Sequence, residues 1–209
     1  GGPGAWRALE ADSATALAAR GEPERALRHF LAAERVADAA GLLRDLGPRL
    51  LAQGRAAALL QYLGDLPEAE VRADAALAVA LADARQALGR WDEAETLYQE
   101  VLGRCRETAD RLHECMALIG LGKVFNLRGR YEQVLGMAER GLALAQDLGI
   151  EVRARLLQMK AGAHFYLGQY RAAVRVLDEV RALLPATADP DLILPILHNL
   201  AGAYAAQGR

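Results

Sequence analysis

Residues 81–102 read LADARQALGRWDEAETLYQEVL, and residues 121–142 answer them in the same order of residue types, LGKVFNLRGRYEQVLGMAERGL. A third copy, KAGAHFYLGQYRAAVRVLDEVR, runs from 160 to 181. In each copy a small residue (Ala82, Gly122, Ala161) leads a helical stretch, a glycine (Gly89, Gly129, Gly168) ends it, and an aromatic stands two places later (Trp91, Tyr131, Tyr170). Apolar residues recur at three- and four-residue intervals on either side of the glycine, the period of a helix with one buried face. A helix, a glycine able to take a left-handed backbone, and a second helix make a helical hairpin.

Working outward, the same glycine recurs at Gly21, Gly54, Gly89, Gly129, Gly168 and Gly208, with spacings by subtraction of 33, 35, 40, 39 and 40. A near-fixed period of this length is the signature of stacked supersecondary units rather than of a globule. The expectation is an all-α, right-handed superhelix of about five and a half antiparallel hairpins over residues 5–209, with divergent units in 5–66 and regular long units in 67–209. Gly1-Gly2-Pro3-Gly4 reads as a tag or linker remnant. Small residues are expected where the two helices of one hairpin come closest. The chain stops at Arg209 in mid-unit, which is read as a fragment boundary leaving an apolar end for self-association.

Composition agrees with helices. The 209 residues are 53% hydrophobic and only 5% aromatic, whereas strands favour β-branched and aromatic side chains. Formal net charge is −2 with signs interspersed, so no basic stripe is present to neutralise phosphates and direct nucleic-acid contact is not expected. No apolar run is long enough to span a bilayer and no secretory signal opens the chain, which points to the cytoplasm. Cys105 and Cys115 make neither a disulfide framework nor a zinc site. The histidines His29, His113, His164 and His198 lack ligand spacing, so metal and cofactor are expected to be absent. No nucleophile–base pair is visible, and the chain is read as non-enzymatic.

The order small residue, glycine, aromatic, alanine, seen at Ala82–Ala94 and Ala161–Ala173, resembles the tetratricopeptide repeat. The resemblance is weaker around Gly21 and Gly54, where Pro23 and Ala56 replace the aromatic. The period of 39 or 40 exceeds the repeat's 34, so extra helical turns or longer loops are expected. Residues 43–67, LRDLGPRLLAQGRAAALLQYLGDLP, followed by LGRWDEAE at 88–95, resemble the helical arm of the MalT-like large ATP-binding LuxR-type transcriptional regulators. The resemblance implies a sensing or interaction arm, with nucleotide-binding and DNA-binding domains elsewhere. This chain has no G-x-x-x-x-G-K-[ST] loop and ends in no helix-turn-helix.

In such superhelices the first helix of each hairpin lines the concave wall, and residues three and four apart share its face. The stripes are then Met116, Ile119, Lys123 and Asn126; Arg155, Gln158, Gly162 and Phe165 with Tyr166 alongside; and Pro195, His198, Asn199 and Gly202. Lys123 and Arg155 suit a carboxylate or phosphate. The amides of Asn126, Gln158 and Asn199 offer donor and acceptor to a peptide backbone. The partner expected there is a protein, a peptide or a small effector; the alternative is a stand-alone scaffold for protein–protein contacts. Trp91, Tyr131 and Tyr170 hold one place in the repeat and are read as packing residues, with roughly 3–5 kcal/mol at stake for a fully buried ring. Pro190 starts the last helix and Pro195 bends or restarts it.

Overall fold

The structure, a computed structural model, describes residues 3–184, 201–202 and 204–205. Pro190, Pro195, His198, Asn199 and Gly208 lie outside the described residues. Among the described residues there are eleven helices: α1 (Pro3–Ala19), α2 (Pro23–Ala32), α3 (Val36–Ala52), α4 (Ala56–Gly64), α5 (Glu68–Ala73), α6 (Ala75–Ala87), α7 (Trp91–Thr108), α8 (Arg111–Leu127), α9 (Tyr131–Leu144), α10 (Ile150–Tyr166) and α11 (Tyr170–Leu183). The chain forms two compact units, residues 1–97 and 98–209. The repeat fold is of tetratricopeptide type.

Each recurrent glycine within the described residues is where the sequence places it, between the two helices of a hairpin. Gly21, Gly54, Gly89, Gly129 and Gly168 have φ of 76°, 71°, 77°, 70° and 72°, a region that a side chain would make costly. The next residue's N–H then reaches back five positions: Glu22 to Leu17, Arg55 to Leu50, Arg90 to Arg85, Arg130 to Phe125 and Gln169 to His164, at 2.8–3.0 Å. This satisfies carbonyls that a helix end would otherwise orphan. The second helix starts on the aromatic in three hairpins. It starts on Pro23 and Ala56 in the other two, where proline loses no hydrogen bond at the first turn. Gly4, read from the sequence as part of a tag or linker remnant, lies inside α1.

The long period divides between two sources. From Gly89 to Gly129 it goes into helix length, with 18 residues in α7 and 17 in α8. Between Gly129 and Gly168 a connection at 145–149 adds to the 17 residues of α10. Asp110 starts α8 by accepting from the His113 N–H at 3.2 Å, and its other oxygen meets His113 Nδ1 at 2.7 Å. The short α5 was not visible in the repeat pattern. It ends at Asp74, whose side chain caps α6 through Leu77 N–H at 3.0 Å while Arg44 Nε donates to it at 2.7 Å.

Unit one is tied by charge between helices. Arg55 donates through both Nη atoms to Glu24 at 2.6 Å each, and the Tyr62 hydroxyl donates to the same carboxylate at 2.9 Å. The Arg55 hydrogen bonds are the main reason the Glu24 carboxyl is lowered from 4.5 to about 2. In the same unit Glu10 is buried and meets His29 Nδ1 at 2.5 Å.

In unit two three glycines lie at contacts between different hairpins. A Cβ at Gly120 of α8 would overlap the Tyr98 ring of α7, which is fully buried; one at Gly122 would strike Met159 of α10; one at Gly141 of α9 would strike Leu156 of α10. Of the repeat's small residues, Gly122 meets the neighbouring hairpin at Met159, while Ala161 packs with Leu177 and Val180 of its own hairpin. Around these contacts lie two apolar clusters: Cys115, Ile119, Ala145 and Leu156, and Ala154, Leu157, Ala161, Leu177 and Val180.

A carboxyl whose folded pKa is depressed adds stability that is complete above its unfolded value and lost as pH falls toward the folded one. Glu24→Gln therefore flattens the acid limb of a stability–pH curve between pH 4.5 and about 2; an unchanged limb contradicts the role of the Arg55 bridge. Gly120→Ala overpacks against a ring with nowhere to go and lowers stability by about 1–3 kcal/mol. Gly103→Ala in α7, with nothing within 4 Å, raises it by about 0.4–1 kcal/mol through the unfolded chain. Denaturant titration of both variants reads the difference.

Candidate functional site

The polar residues picked from the sequence that fall in the described region sit on α8 and α10, the first helices of the two hairpins of unit two. On α8, Ile119, Cys115 and Gly122 face α10. Lys123 is one residue, or 100°, beyond Gly122, and Met116 and Leu112 follow it along the helix at spacings of seven and four. On α10, Arg155, Gln158, Gly162 and Tyr166 form the corresponding line, clear of Leu156 and Ala163 on one side and of Leu157 and Ala161 on the other. Lys123 and Arg155 are exposed, and Asn126 and Gln158 are half-buried. None of these four has a side-chain hydrogen bond or ion pair among the described residues.

Several arginines elsewhere are engaged between elements: Arg140 with buried Glu114 between α8 and α9, Arg44 with Asp74, and Arg55 with Glu24. The described histidines are engaged too, His29 with Glu10, His113 with Asp110, and His164 with Gln169 at 2.6 Å. They act as structural side chains. No group of three or more His, Cys, Asp or Glu able to hold a metal occurs among the described residues. Both cysteines are buried. Desolvation raises the Cys105 thiol and pushes that of Cys115 to about 11, so neither is poised as a thiolate nucleophile.

Phe165 and Tyr166 are drawn into packing. Tyr166 stacks on Tyr131 with ring centres 4.8 Å apart and planes 12° from parallel. Phe165 meets Tyr166 edge-on at 5.6 Å and Tyr170 at 5.5 Å, and lies 3.7 Å from where a Cβ at Gly202 would be. The repeat aromatics Tyr131 and Tyr170 thus join neighbouring hairpins through the end of α10. Tyr166 keeps 56% of its surface exposed. Trp91 is 41% exposed.

The sequence reading passed over a second feature of the same helix. Arg153, Leu157 and Lys160 of α10, with Leu142 and Gln146 on the α9 side and Val176 and Glu179 of α11, line a cleft of about 450 Å³. Arg153 and Lys160 share a face at a spacing of seven. That signal was readable, but it lay on the side of α10 away from the expected wall.

A tetratricopeptide repeat family model matches residues 73–147, and a second one matches residues 11–32. No curated protein matches the sequence. Among solved structures, the chain is similar to kinesin light chain TPR-like repeats of Podosopora anserina, at 24% identity over 79% of this chain and 85% of that one, with a TM-score of 0.58. It is similar to a tetratricopeptide repeat protein of Parabacteroides merdae at 16% identity, 97% and 73% coverage and a TM-score of 0.69. It also resembles a STAND signal-transduction ATPase with a tetratricopeptide repeat sensor from Pyrococcus horikoshii, at 17% identity and a TM-score of 0.61, covering 94% of this chain and 31% of that one. These likenesses show the fold. No helix among the described residues is long and apolar enough to cross a membrane.

Because Tyr131 is half-buried and loses one stacked partner, Tyr131→Ala costs about 0.5–1.5 kcal/mol for the pair beyond its area, less than a fully buried ring. Tyr166→Ala costs a similar amount, and the double variant costs less than the sum. Thermal melting of the three variants checks this; strict additivity would contradict the stack.

Proposed function

We propose that this tetratricopeptide-type chain is a non-enzymatic interaction arm of a bacterial transcription regulator, and that it takes an acidic protein or peptide segment on the first-helix face of unit two. The coarse part rests on the fold, since tetratricopeptide repeats are in general scaffolds for protein contacts and no catalytic family is matched. The carrying observation for the site is the line of unengaged polar groups, Lys123 and Asn126 on α8 beside Arg155 and Gln158 on α10. Two exposed cations attract carboxylates, and two amides can hold a peptide's N–H and C=O. Leu112, 43% exposed, and half-buried Met116 offer apolar contact beside them. Support for the regulator setting comes from the stretch at 43–67 and from the repeat sensor of the STAND protein, of which this chain spans about a third.

A fluorescein-labelled twelve-residue peptide of alternating Glu and Leu tests the site, with its Lys–Leu counterpart as control. Binding of the acidic peptide is expected to weaken as salt rises and to fall about tenfold or more in Lys123→Glu/Arg155→Glu, from loss of charged hydrogen bonds. The melting point of the variant should stay unchanged, since neither side chain is packed. Equal binding of both peptides, or full binding by the variant, overturns the reading. The regulator setting is tested by the full gene, which should encode a nucleotide-binding module before the arm and a DNA-binding domain after it.

A further inference from the structure

The cleft on the other side of α10 is a separate matter. Arg153 and Arg155 lie two residues apart and therefore about 200° around the helix, so the face lined by Arg153, Leu157 and Lys160 is turned away from the stripe of Arg155 and Gln158. Leu142, Leu157 and Val176 contribute apolar patches, and Gln146 and Glu179 join Arg153 and Lys160 in a mostly polar lining. Its volume, about 450 Å³, is of the size that small organic molecules occupy, roughly 300–1,000 Å³.

The charges in it are incompletely matched. Lys160 pairs across to Glu139 of α9 at 3.4 Å, which satisfies one end. Arg153 is half-buried, Glu179 stands exposed on the α11 wall, and neither has a side-chain partner among the described residues. A plain anion drawn to Arg153 would meet the carboxylate of Glu179, and a plain cation drawn to Glu179 would meet Arg153. A ligand carrying both signs at once matches both, with short apolar side chains resting against Leu142 and Val176 between them. Along α10 the cleft runs the seven residues from Arg153 to Lys160, about 10 Å, and an extended dipeptide spans about 7 Å.

We infer that this cleft between α9, α10 and α11 is a binding site for a short zwitterionic peptide with apolar side chains, its carboxylate on Arg153 and Gln146 and its ammonium on Glu179. The site is independent of the first-helix face and does not need that reading to hold.

The probe is the dipeptide Leu-Leu, at millimolar concentration, on the whole chain. A ligand of the native state raises its melting point by mass action, and isothermal titration gives the affinity. Free Leu-Leu is expected to raise the melting point, while its C-terminal amide and its N-acetyl form each bind at least tenfold more weakly. Arg153→Gln and Glu179→Gln should each lose about tenfold or more in affinity, from a charged hydrogen bond removed. Arg155→Gln should bind Leu-Leu as the parent does. Glu179 is exposed, so Glu179→Gln keeps the test open should Arg153→Gln disturb folding. No melting shift with Leu-Leu, equal binding of the blocked dipeptides, or loss of binding in Arg155→Gln would each overturn the assignment. Because the acidic twelve-residue peptide is read through Lys123 and Arg155, failure at one face is distinguishable from failure at the other.

Discussion

Unit two depends on helices that come closer than side chains ordinarily allow. At Gly120, Gly122 and Gly141 the missing Cβ is the space into which Tyr98, Met159 and Leu156 fit. Each of these contacts joins one hairpin to another element of the stack, so the glycines govern the spacing between hairpins. The left-handed glycines at the turns govern something different, the reversal within a hairpin. A chain with only the second kind would have hairpins but no fixed distance between them. Interiors packed at crystal density respond to a single methylene, so these three positions are where the repeat is least forgiving.

Charge plays the equivalent part in unit one. Glu24 accepts from Arg55 and Tyr62, and Glu10 meets His29. Glu24 of α2 is held by Arg55 at the entry to α4 and by Tyr62 within it, and Glu10 of α1 meets His29 of α2. Exposed pairs contribute little, but a bidentate arginine with a third donor fixes geometry as well as charge.

The hairpins were legible because two periods coincide in the sequence, the helical one and the recurrence of glycine. The left-handed turns, the helix starts at Trp91, Tyr131 and Tyr170, and the placement of Lys123 and Arg155 on exposed lines all follow from those periods. What was hidden depends on contacts between distant residues. Gly122 looks the same in sequence whether it serves its own hairpin or Met159 of the next one. Phe165 and Tyr166 fall on the expected polar stripe, yet the end of α10 lies beside the start of α9, and stacking with Tyr131 occupies one face of Tyr166. Trp91 shares the repeat position of Tyr131 but is 41% exposed, which no periodicity reveals. Helix α5 is six residues long, too short for a periodic signal.

The cleft illustrates the same point from the side of function. A first helix in a repeat is normally read as having one buried arc and one open line. Helix α10 is buried along two arcs, by Leu157 and Ala161 toward α11 and by Leu156 and Met159 toward α9 and α8. Two lines are therefore left open between the arcs, one with Arg155 and Gln158 and one with Arg153 and Lys160. Small residues such as Ala154, Ala161 and Ala163 keep both arcs narrow. A bulkier helix would spread over its neighbours and close one of the lines. The alanine-rich composition that first pointed to helices is thus also what allows a single helix to present two separate polar surfaces, with substitutions on either line leaving the buried arcs untouched.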